Sequence, residues 1–234
     1  TEDMAGRICQ LAGRSAPVPV IPIWADDELF DSDAAAAAGS CRARLGIPDD
    51  RRLIGFAGSF GRKQRLGDVV AALQALPPAY TTVFIGDGPA RPEIEHVRGM
   101  SSGDVRIMPP QPVAELHAFL SACDLSVVVA WTEHAGSLFP SKVANILAAG
   151  SPILAITHPN TELAALLERE RIGLTCPSLD PEQIREAARR GAELGRDRGC
   201  RDRCRAYARA HLARGGAMRH FLEEVRSLVP EGAT

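Results

Sequence analysis

The sequence predicts an α/β protein with a doubly wound parallel sheet of about six strands, helices on both faces and a helical C-terminal tail. From about residue 52 to residue 196, short apolar segments are separated by helical segments of about ten residues each. This alternation is typical of βαβ units, whose right-handed crossovers place helices on both sides of the sheet. With 234 residues, 45% of them hydrophobic, the chain is long enough to bury a sizeable core.

The first 30 residues are predicted to form a short helical segment, then a Pro-punctuated strand, VPVIPIW, and the acidic turn ADDELFD. A strand that leads into such a turn is typical of a linker entering a domain. Residues 1–30 are therefore interpreted as an inter-domain linker and the remnant of a preceding domain. Ser32 or Asp33 can then cap a helix that runs to about Leu45, where Gly46 ends it.

The remaining elements follow in regular order. The six predicted strands are 53–57, 81–85, 105–108, 124–130, 153–156 and 173–176, and the predicted helices are 66–76, 91–98, one ending near 122, one beginning near 141, 160–169, 181–194 and 197–228. Residues 31–196 are predicted to be one Rossmann-like domain. Residues 197–234 are predicted to be a C-terminal helical tail.

Composition excludes several functional classes. A formal net charge of -2 gives no support to a nucleic-acid partner. Six cysteines without a CxxC pair indicate reduced, structural thiols in a cytoplasmic protein and no metal site. No apolar run is long enough to span a membrane, and the N-terminus has no signal-peptide core. Because the chain does not start with Met, it is interpreted as a piece of a longer one.

The stretch 133–156 contains a polar loop that runs into a helix with Ser141 and Lys142 in its first turn. A helix start has unpaired N–H groups and a favourable dipole, so this stretch predicts an anion site. Ser137 and Ser141 can donate to a phosphate or cap the helix, and both roles stay open. The alternative is an ordinary connection in an α/β domain.

A second candidate site follows the first strand, in the segment GFAGSFGRKQRLG. Its small residues, among them Gly58 and Ser59, permit close backbone approach, and Arg62 and Lys63 come directly after them. The chain's two lysines are Lys63 and Lys142, against 25 arginines. A retained lysine favours a compact point charge, so we predict phosphate binding here, with a plain turn as the alternative.

Two further turns lie at the same predicted edge of the sheet. The GDGP turn is interpreted as mainly structural, with Gly86 or Asp87 as a secondary candidate for ligand contact. The segment from Met108 to Gln111 can present backbone groups to a flat base edge.

Glu133 is the one carboxylate between Asp124 and Glu162. It is therefore the candidate acid for sugar hydroxyls or developing positive charge, against the alternative of an idle surface residue. Asn145 lies on about the same helix face as Lys142 and is a poor helix former. It is a candidate for contact with a ligand hydroxyl.

Four motifs occur in order: FAGSFGRKQRL, IGDGPARPEIE, SACDLSVVV and FPSKVANILAAGSPILA. With the entry segment PVIPIWADDELF, they resemble the C-terminal, donor-binding domain of family 4 glycosyltransferases of the GT-B type. The likeness is strongest to the bacterial exopolysaccharide and O-antigen branch related to colanic-acid transferases.

This resemblance implies transfer of a sugar from a nucleoside-diphosphate donor, with retention of configuration and without a required cofactor or metal. It implies that Arg62 and Lys63 hold the diphosphate and that Lys142 adds a second cation. The loop from Glu133 to Ser137 would face the donor sugar, and the GDGP turn and the segment after the third strand would bound the nucleoside. The donor base is not assigned.

The sequence departs from the family pattern of two glutamates eight residues apart, because the corresponding positions hold Ser137 and Asn145. Glu133 can serve as the first glutamate if the loop carries an insertion. The resemblance also implies a missing N-terminal acceptor domain and leaves open a peripheral contact of the full-length enzyme with the inner membrane face. A non-catalytic nucleotide-sugar-binding or partner-binding module and a GT-B-type epimerase remain alternatives.

Overall fold

The structure is a computed structural model that describes residues 2–13, 18–31, 33–100, 103–131 and 139–227. Its strands are β1 (Arg52–Ala57), β2 (Tyr80–Ile85), β3 (Val105–Met108), β4 (Leu125–Val129), β5 (Ile153–Ile156) and β6 (Gly173–Cys176). They form one parallel sheet in the order β3-β2-β1-β4-β5-β6. The predicted doubly wound, Rossmann-like sheet of six strands is confirmed.

Helices cover both faces of this sheet. The helices of the described residues are α1 (Glu2–Ala12), α2 (Glu28–Asp31), α3 (Ala34–Leu45), α4 (Leu66–Leu73), α5 (Arg91–Arg98), α6 (Val113–Ala122), α7 (Lys142–Ala148), α8 (Glu162–Glu170), α9 (Pro181–Leu194), α10 (Arg198–His211) and α11 (Arg214–Ser227). Successive strand residues point to opposite faces. Leu53 accordingly packs in one buried cluster with α3, α6, α7, α8 and α10, while Ile54 packs in a second cluster with α4, α5 and α9.

The ends of α3 show the predicted capping. The Asp33 carboxylate accepts hydrogen bonds from the N–H groups of Ala35 and Ala36, each at 3.1 Å. Gly46 has φ 61° and ends the helix in the left-handed conformation. A capped alanine run is a good helix former, so this low-complexity stretch is ordered.

The predicted strand over VPVIPIW is wrong. Residues 18–24 form no strand, and the residue that follows them, Ala25, makes an isolated β-bridge with Ala213. Pro19 and Pro22 interrupt the run, and because proline lacks an N–H it cannot donate to a ladder. The segment is held instead by the Ala25 N–H, which donates to the carbonyl of Leu212 at 2.8 Å.

Two helical predictions also differ in detail. The tail is two helices, α10 and α11, rather than one. The helix after β4 begins at Lys142 and has seven residues.

The strand order reverses between β1 and β4, which pair with each other at the centre of the sheet. From β1 the chain continues outward to β2 and β3 at one edge, and from β4 it continues outward to β5 and β6 at the other edge. In such a sheet the connections diverge at this point, and a crevice opens outside the carboxyl ends of the strands. The loops that follow β1, β2 and β3 and the start of α7 therefore lie around the candidate site. In the part of the chain that the structure describes, no helix has the length and apolar character needed to cross a membrane.

Candidate functional site

A cleft of about 320 Å³ opens at the carboxyl edge of the sheet. It is bounded by the ends of β1 and β2, by the loop after β3 and by α6. The lining residues are Ala57, Gly58, Ser59, Ile85, Gly86, Asp87, Pro110, Gln111 and Leu116. Three predicted binding residues, Gly58, Ser59 and Gly86, therefore lie together on its wall, and so do two residues of the predicted base-binding segment.

Backbone hydrogen bonds continue the ladder of the sheet into the loops and hold the cleft wall in place. The N–H of Gly58 donates to the carbonyl of Ile85 at 2.9 Å, and the N–H of Phe60 donates to the carbonyl of Asp87 at 2.8 Å. The N–H of Gly86 donates to the carbonyl of Met108 at 3.1 Å. Met108 thus supports the cleft through its backbone, and it is not one of the lining residues.

The two glycines of this wall approach each other closely. A Cβ atom added to Gly86 would lie 1.9 Å from the carbonyl oxygen of Gly58. Gly58 itself has φ 141°, which side-chain-bearing residues rarely adopt. The small residues noted in the sequence are therefore required by the backbone geometry of the cleft, whatever the cleft binds.

Lys142 reaches the edge of this cleft from the first turn of α7. A Cβ atom on Gly58 would lie 2.5 Å from its Nζ, so the amine rests against the glycine backbone. The Nζ atom also lies 4.2 Å from the ring centroid of Phe56 in β1. It is buried and forms no hydrogen bond with any residue that the structure describes.

Burial lowers the pKa of Lys142 from 10.5 to about 8. Desolvation disfavours the ammonium form, and no carboxylate among the described residues offsets it. An unpaired buried cation is costly unless an anion joins it. The arrangement is therefore suited to a ligand that brings negative charge to the Gly58 backbone.

Arg62 and Lys63 lie in a short 3-10 helix, Arg62–Gln64, directly after the cleft loop. Both side chains are exposed, and neither forms an ion pair with the described residues. They do not line the cleft. Their position beside it leaves them free to approach a charged group that extends out of the cleft.

The start of α7 differs from the anion site that the sequence suggested. The N–H of Val143 donates to the carbonyl of Pro140 at 3.1 Å, and the N–H of Ala144 donates to that of Ser141 at 3.2 Å. These two N–H groups, which a helix start can leave unpaired, are therefore already hydrogen-bonded within the chain. Ser141 is exposed and makes no capping bond. Among the described residues, Nζ of Lys142 is a buried polar group at this end of α7 without a hydrogen-bond partner.

Asn145 uses both ends of its amide on one partner. Its Oδ1 accepts from the N–H of Asp26 at 2.9 Å, and its Nδ2 donates to Oδ2 of Asp26 at 2.8 Å. The same carboxylate oxygen lies 2.9 Å from Nε2 of His117 in α6. The predicted ligand contact of Asn145 thus competes with an internal interaction that the sequence did not indicate.

The predicted catalytic Glu133, together with Ser137, falls in residues 132–138, outside the described part of the chain. Their assigned roles stay predictions.

The sequence missed four residues that shape the site: Phe56, Leu116, Asp26 and His117. Phe56 lies inside an apolar strand and Leu116 inside a helix, so each looks like ordinary core. Asp26 and His117 are 91 residues apart, and their hydrogen bond depends on the tertiary fold. A lone His in an apolar helix was the one available signal.

The family match agrees with this geometry. Residues 51–193 match the family described as "Glycosyl transferases group 1". That segment runs from the beginning of β1 to the last turn of α9 and contains the whole cleft.

Among similar curated proteins, WcaI of Escherichia coli K12, named for colanic acid biosynthesis, is 29% identical over 88% of this chain and 50% of its own length. WbjE of Pseudomonas aeruginosa, named as a glycosyltransferase, is 30% identical over 58% of this chain and 35% of its own length. The chain thus spans half or less of the length of these relatives.

Among solved structures, HepE of Anabaena in complex with UDP-glucose has a TM-score of 0.77 at 16% identity, over 95% of this chain and 61% of that one. At this identity the likeness shows the fold alone. The family match, however, covers more than half of the chain, and the observed sheet agrees with it. The chain therefore belongs to the group 1 family of glycosyl transferases.

Proposed function

We propose that this chain is the donor-binding part of a retaining glycosyltransferase, which transfers a sugar from a nucleoside-diphosphate sugar to a glycan, a lipid-linked sugar or another acceptor. The observation that carries the proposal is the buried ammonium group of Lys142, which has no described hydrogen-bond partner and rests against Gly58 at the edge of the cleft. A diphosphate at Gly58 supplies the missing anion.

The nucleoside occupies the cleft. A volume of about 320 Å³ is near the lower end of what small-molecule sites have. Pro110 and Leu116 provide apolar walls, and Gln111 and the backbone around Gly86 provide polar groups. Such a wall holds a flat base between apolar surfaces and lets a few polar groups choose among bases.

The diphosphate lies between the end of β1 and α7. Gly58 lets the phosphates approach the backbone closely, and Lys142, whose Nζ lies against Gly58, neutralises one of the phosphates. Arg62 and Lys63 turn toward the outer phosphate from the 3-10 helix. Ser59, which follows Gly58, and Ser141, which precedes Lys142, can add hydroxyl donors to the phosphates.

The same contacts promote the reaction. Negative charge grows on the diphosphate as its bond to the sugar breaks, so fixed cations stabilise the transition state more than the ground state. The proposal requires no protein nucleophile, cofactor or metal. Glu133 is assigned to the donor sugar, where a carboxylate can accept from hydroxyls or stabilise positive charge at the anomeric carbon.

The acceptor would bind to a further domain, because this chain spans half the length of its relative WcaI. Residues 1–30 are proposed as the linker to that domain, residues 31–196 as the donor domain and residues 197–234 as its helical tail. The linker and the tail contact each other: Arg209 donates to the carbonyl of Phe30 at 3.1 Å, and Arg214 lies 3.7 Å from Asp27. The whole enzyme would act in the cytoplasm, with a peripheral membrane contact where its acceptor is lipid-linked.

Titration of the 234-residue chain with UDP-, GDP-, ADP- and CMP-sugars by calorimetry tests donor binding. Uridine donors come first, because the structural neighbour HepE is described with UDP-glucose. We expect one base to bind and Lys142→Ala to weaken that binding by about 1 to 3 kcal/mol, as loss of a charge-assisted contact should. A folded protein that binds none of the four would overturn the donor-site proposal.

Transfer itself is tested on the full-length gene product. Release of the nucleoside diphosphate should depend on an added acceptor and on Glu133, with Glu133→Gln as the variant. Acceptor-independent isomerisation of the donor would indicate an epimerase. Tight donor binding without either reaction would indicate a sensor.

A further inference from the structure

We infer that Asp26, in the segment before α2, is a positioning residue that fixes Lys142 beside Gly58. This inference rests on the proposed donor site, since it assigns the part of the chain that holds the phosphate-binding lysine in place. Asp26 lies 116 positions before Lys142 in the sequence, and its carboxylate contacts two helices that border the site, α6 and α7.

The contact with α7 is a closed pair of hydrogen bonds. Asn145 accepts from the backbone N–H of Asp26 and donates to its carboxylate, at 2.9 and 2.8 Å. Two bonds between the same two residues fix the orientation of the amide as well as its distance. Asn145 is three positions after Lys142, so both lie on about the same face of α7. Whatever holds Asn145 therefore also sets the position of Lys142.

The contact with α6 joins the other wall of the cleft to the same carboxylate. Nε2 of His117 lies 2.9 Å from Oδ2 of Asp26. His117 is buried in α6, and its neighbour Leu116 lines the cleft. One carboxylate oxygen thus joins the helix beside the proposed base to the helix that carries the proposed phosphate ligand.

Lys142 needs this external support because its own polar group makes no described hydrogen bond. Its Nζ lies over the ring face of Phe56, and a cation–π contact is less directional than a hydrogen bond. α7 is also short, with seven residues. Among the described residues, the pair between Asp26 and Asn145 is a side-chain hydrogen-bond anchor of this helix, three positions from Lys142.

Asp26 follows a backbone anchor. The N–H of Ala25 donates to the carbonyl of Leu212 at 2.8 Å, which holds the segment against the end of α10. The neighbouring Asp27 gives a matched control. Its ion pair with Arg214 spans 3.7 Å between side chains that are more than half exposed, so it contributes little to the position of the segment.

A first experiment needs no ligand. The chain has two lysines, so selective 13C labelling of lysine gives two side-chain signals in an NMR spectrum, and Lys63→Arg assigns them. The ring of Phe56 should shift the ε-protons of Lys142 upfield. We expect Asp26→Ala to move this signal toward the position of exposed Lys63, and Asp27→Ala to leave it in place. An unchanged Lys142 signal in folded Asp26→Ala overturns the inference.

Asp26→Asn covers the case in which Asp26→Ala does not fold. It keeps the backbone bond to Asn145 and one acceptor oxygen for His117 or Asn145. Its Lys142 signal should lie between those of the wild type and of a mispositioned lysine. A signal identical to the wild type would count against Asp26 as the positioning group.

A second experiment uses a double-mutant cycle with UDP, or with the nucleoside diphosphate that binds in the titration above. We expect Asp26→Ala to raise Kd about fivefold or more in the wild type and less than about twofold in the Lys142→Met background, since coupled residues are not additive. Equal effects in both backgrounds would overturn the positioning role. If no diphosphate binds while the NMR shift of Lys142 still depends on Asp26, the donor proposal fails and the positioning role stands.

Discussion

Lys142 places its ammonium group over the ring of Phe56, with 4.2 Å between Nζ and the ring centroid. The ring attracts the cation through its negative face, but such a contact replaces only part of the hydration that burial removes. The charge is therefore held where it costs stability. A lysine at such a position is more readily explained by ligand binding than by folding.

Lys142→Met should therefore stabilise the ligand-free protein. The pKa of Lys142 is lowered by burial from 10.5 to about 8. That difference corresponds to a cost of a few kcal/mol for the charged form at neutral pH, and methionine packs against an aromatic ring without this cost. We expect the free energy of unfolding at pH 7, from urea titration, to rise by about 1 to 3 kcal/mol.

The sign of the pH dependence follows from the same pKa. The unfolded chain holds the lysine proton more tightly than the folded one between about pH 8 and 10.5, so wild-type stability should rise with pH in that window. The advantage of Lys142→Met should be full below pH 8 and shrink toward pH 10.5. Lys63→Met, at an exposed position, should change stability by less than about 0.5 kcal/mol. A loss of stability in Lys142→Met would contradict the assignment of a costly buried charge.

Nucleoside-diphosphate binding should weaken as the pH rises above 8. A bound diphosphate raises the pKa of Lys142 above its free value of about 8, because opposite charge favours the ammonium form. The contribution of Lys142 to affinity is complete at pH values below its pKa in the ligand-free protein. It is lost as the pH rises through its higher pKa in the complex. Calorimetry between pH 7.5 and 9.5, in buffers of different ionisation enthalpy, should detect proton uptake on binding. Lys142→Met should remove this uptake, and an equal uptake in the variant would assign the proton to another group.

Removing Arg62 and Lys63 together should affect binding and leave stability unchanged. Both side chains are exposed and form no ion pair with described residues, so Arg62→Gln/Lys63→Gln should shift the free energy of unfolding by less than about 0.5 kcal/mol. If they approach the outer phosphate, Kd for the diphosphate should rise about three- to tenfold, and its dependence on salt should decrease.

Arg65→Gln is the matched control for this pair. Arg65 lies in the next position after the 3-10 helix and pairs with Asp68 at 2.7 Å. Its loss removes a neighbouring charge without touching the proposed phosphate path. Similar changes in Kd for the control and the double variant would indicate a general field effect and no specific contact.

The sheet was predictable because its signals are local. Each strand is a short apolar run bounded by turn residues, and caps such as Asp33 and Gly46 mark helix ends within a few residues. The prediction of a strand over VPVIPIW was wrong because it relied on apolar character and did not account for the missing N–H groups of Pro19 and Pro22. A strand also needs a partner, which local sequence does not supply.

The candidate site was predictable where it depends on loop chemistry. Glycines at the ends of β1 and β2 and the cation Lys142 follow from residue type and from the rule that ligands collect at this edge. The contact between Lys142 and Phe56 was not predictable, because it depends on the distance between α7 and β1. The partner of Asn145 was hidden for the same reason, since Asp26 is 119 positions away in the chain.

Gly86→Ala should damage both the fold and the cleft. The added Cβ would lie 1.9 Å from the carbonyl oxygen of Gly58 and 2.9 Å from the ring of Phe60. The two loops must move apart, so we expect the free energy of unfolding to fall by about 1 to 3 kcal/mol and diphosphate affinity to fall with it. Gly61→Ala is the control, because Gly61 has φ -78° and its added Cβ would come no closer than 3.7 Å to Gln64. Urea titration should leave the control within about 0.5 kcal/mol of the wild type. Equal losses in the two variants would mean that the close contact between the β1 and β2 loops does not hold the cleft together.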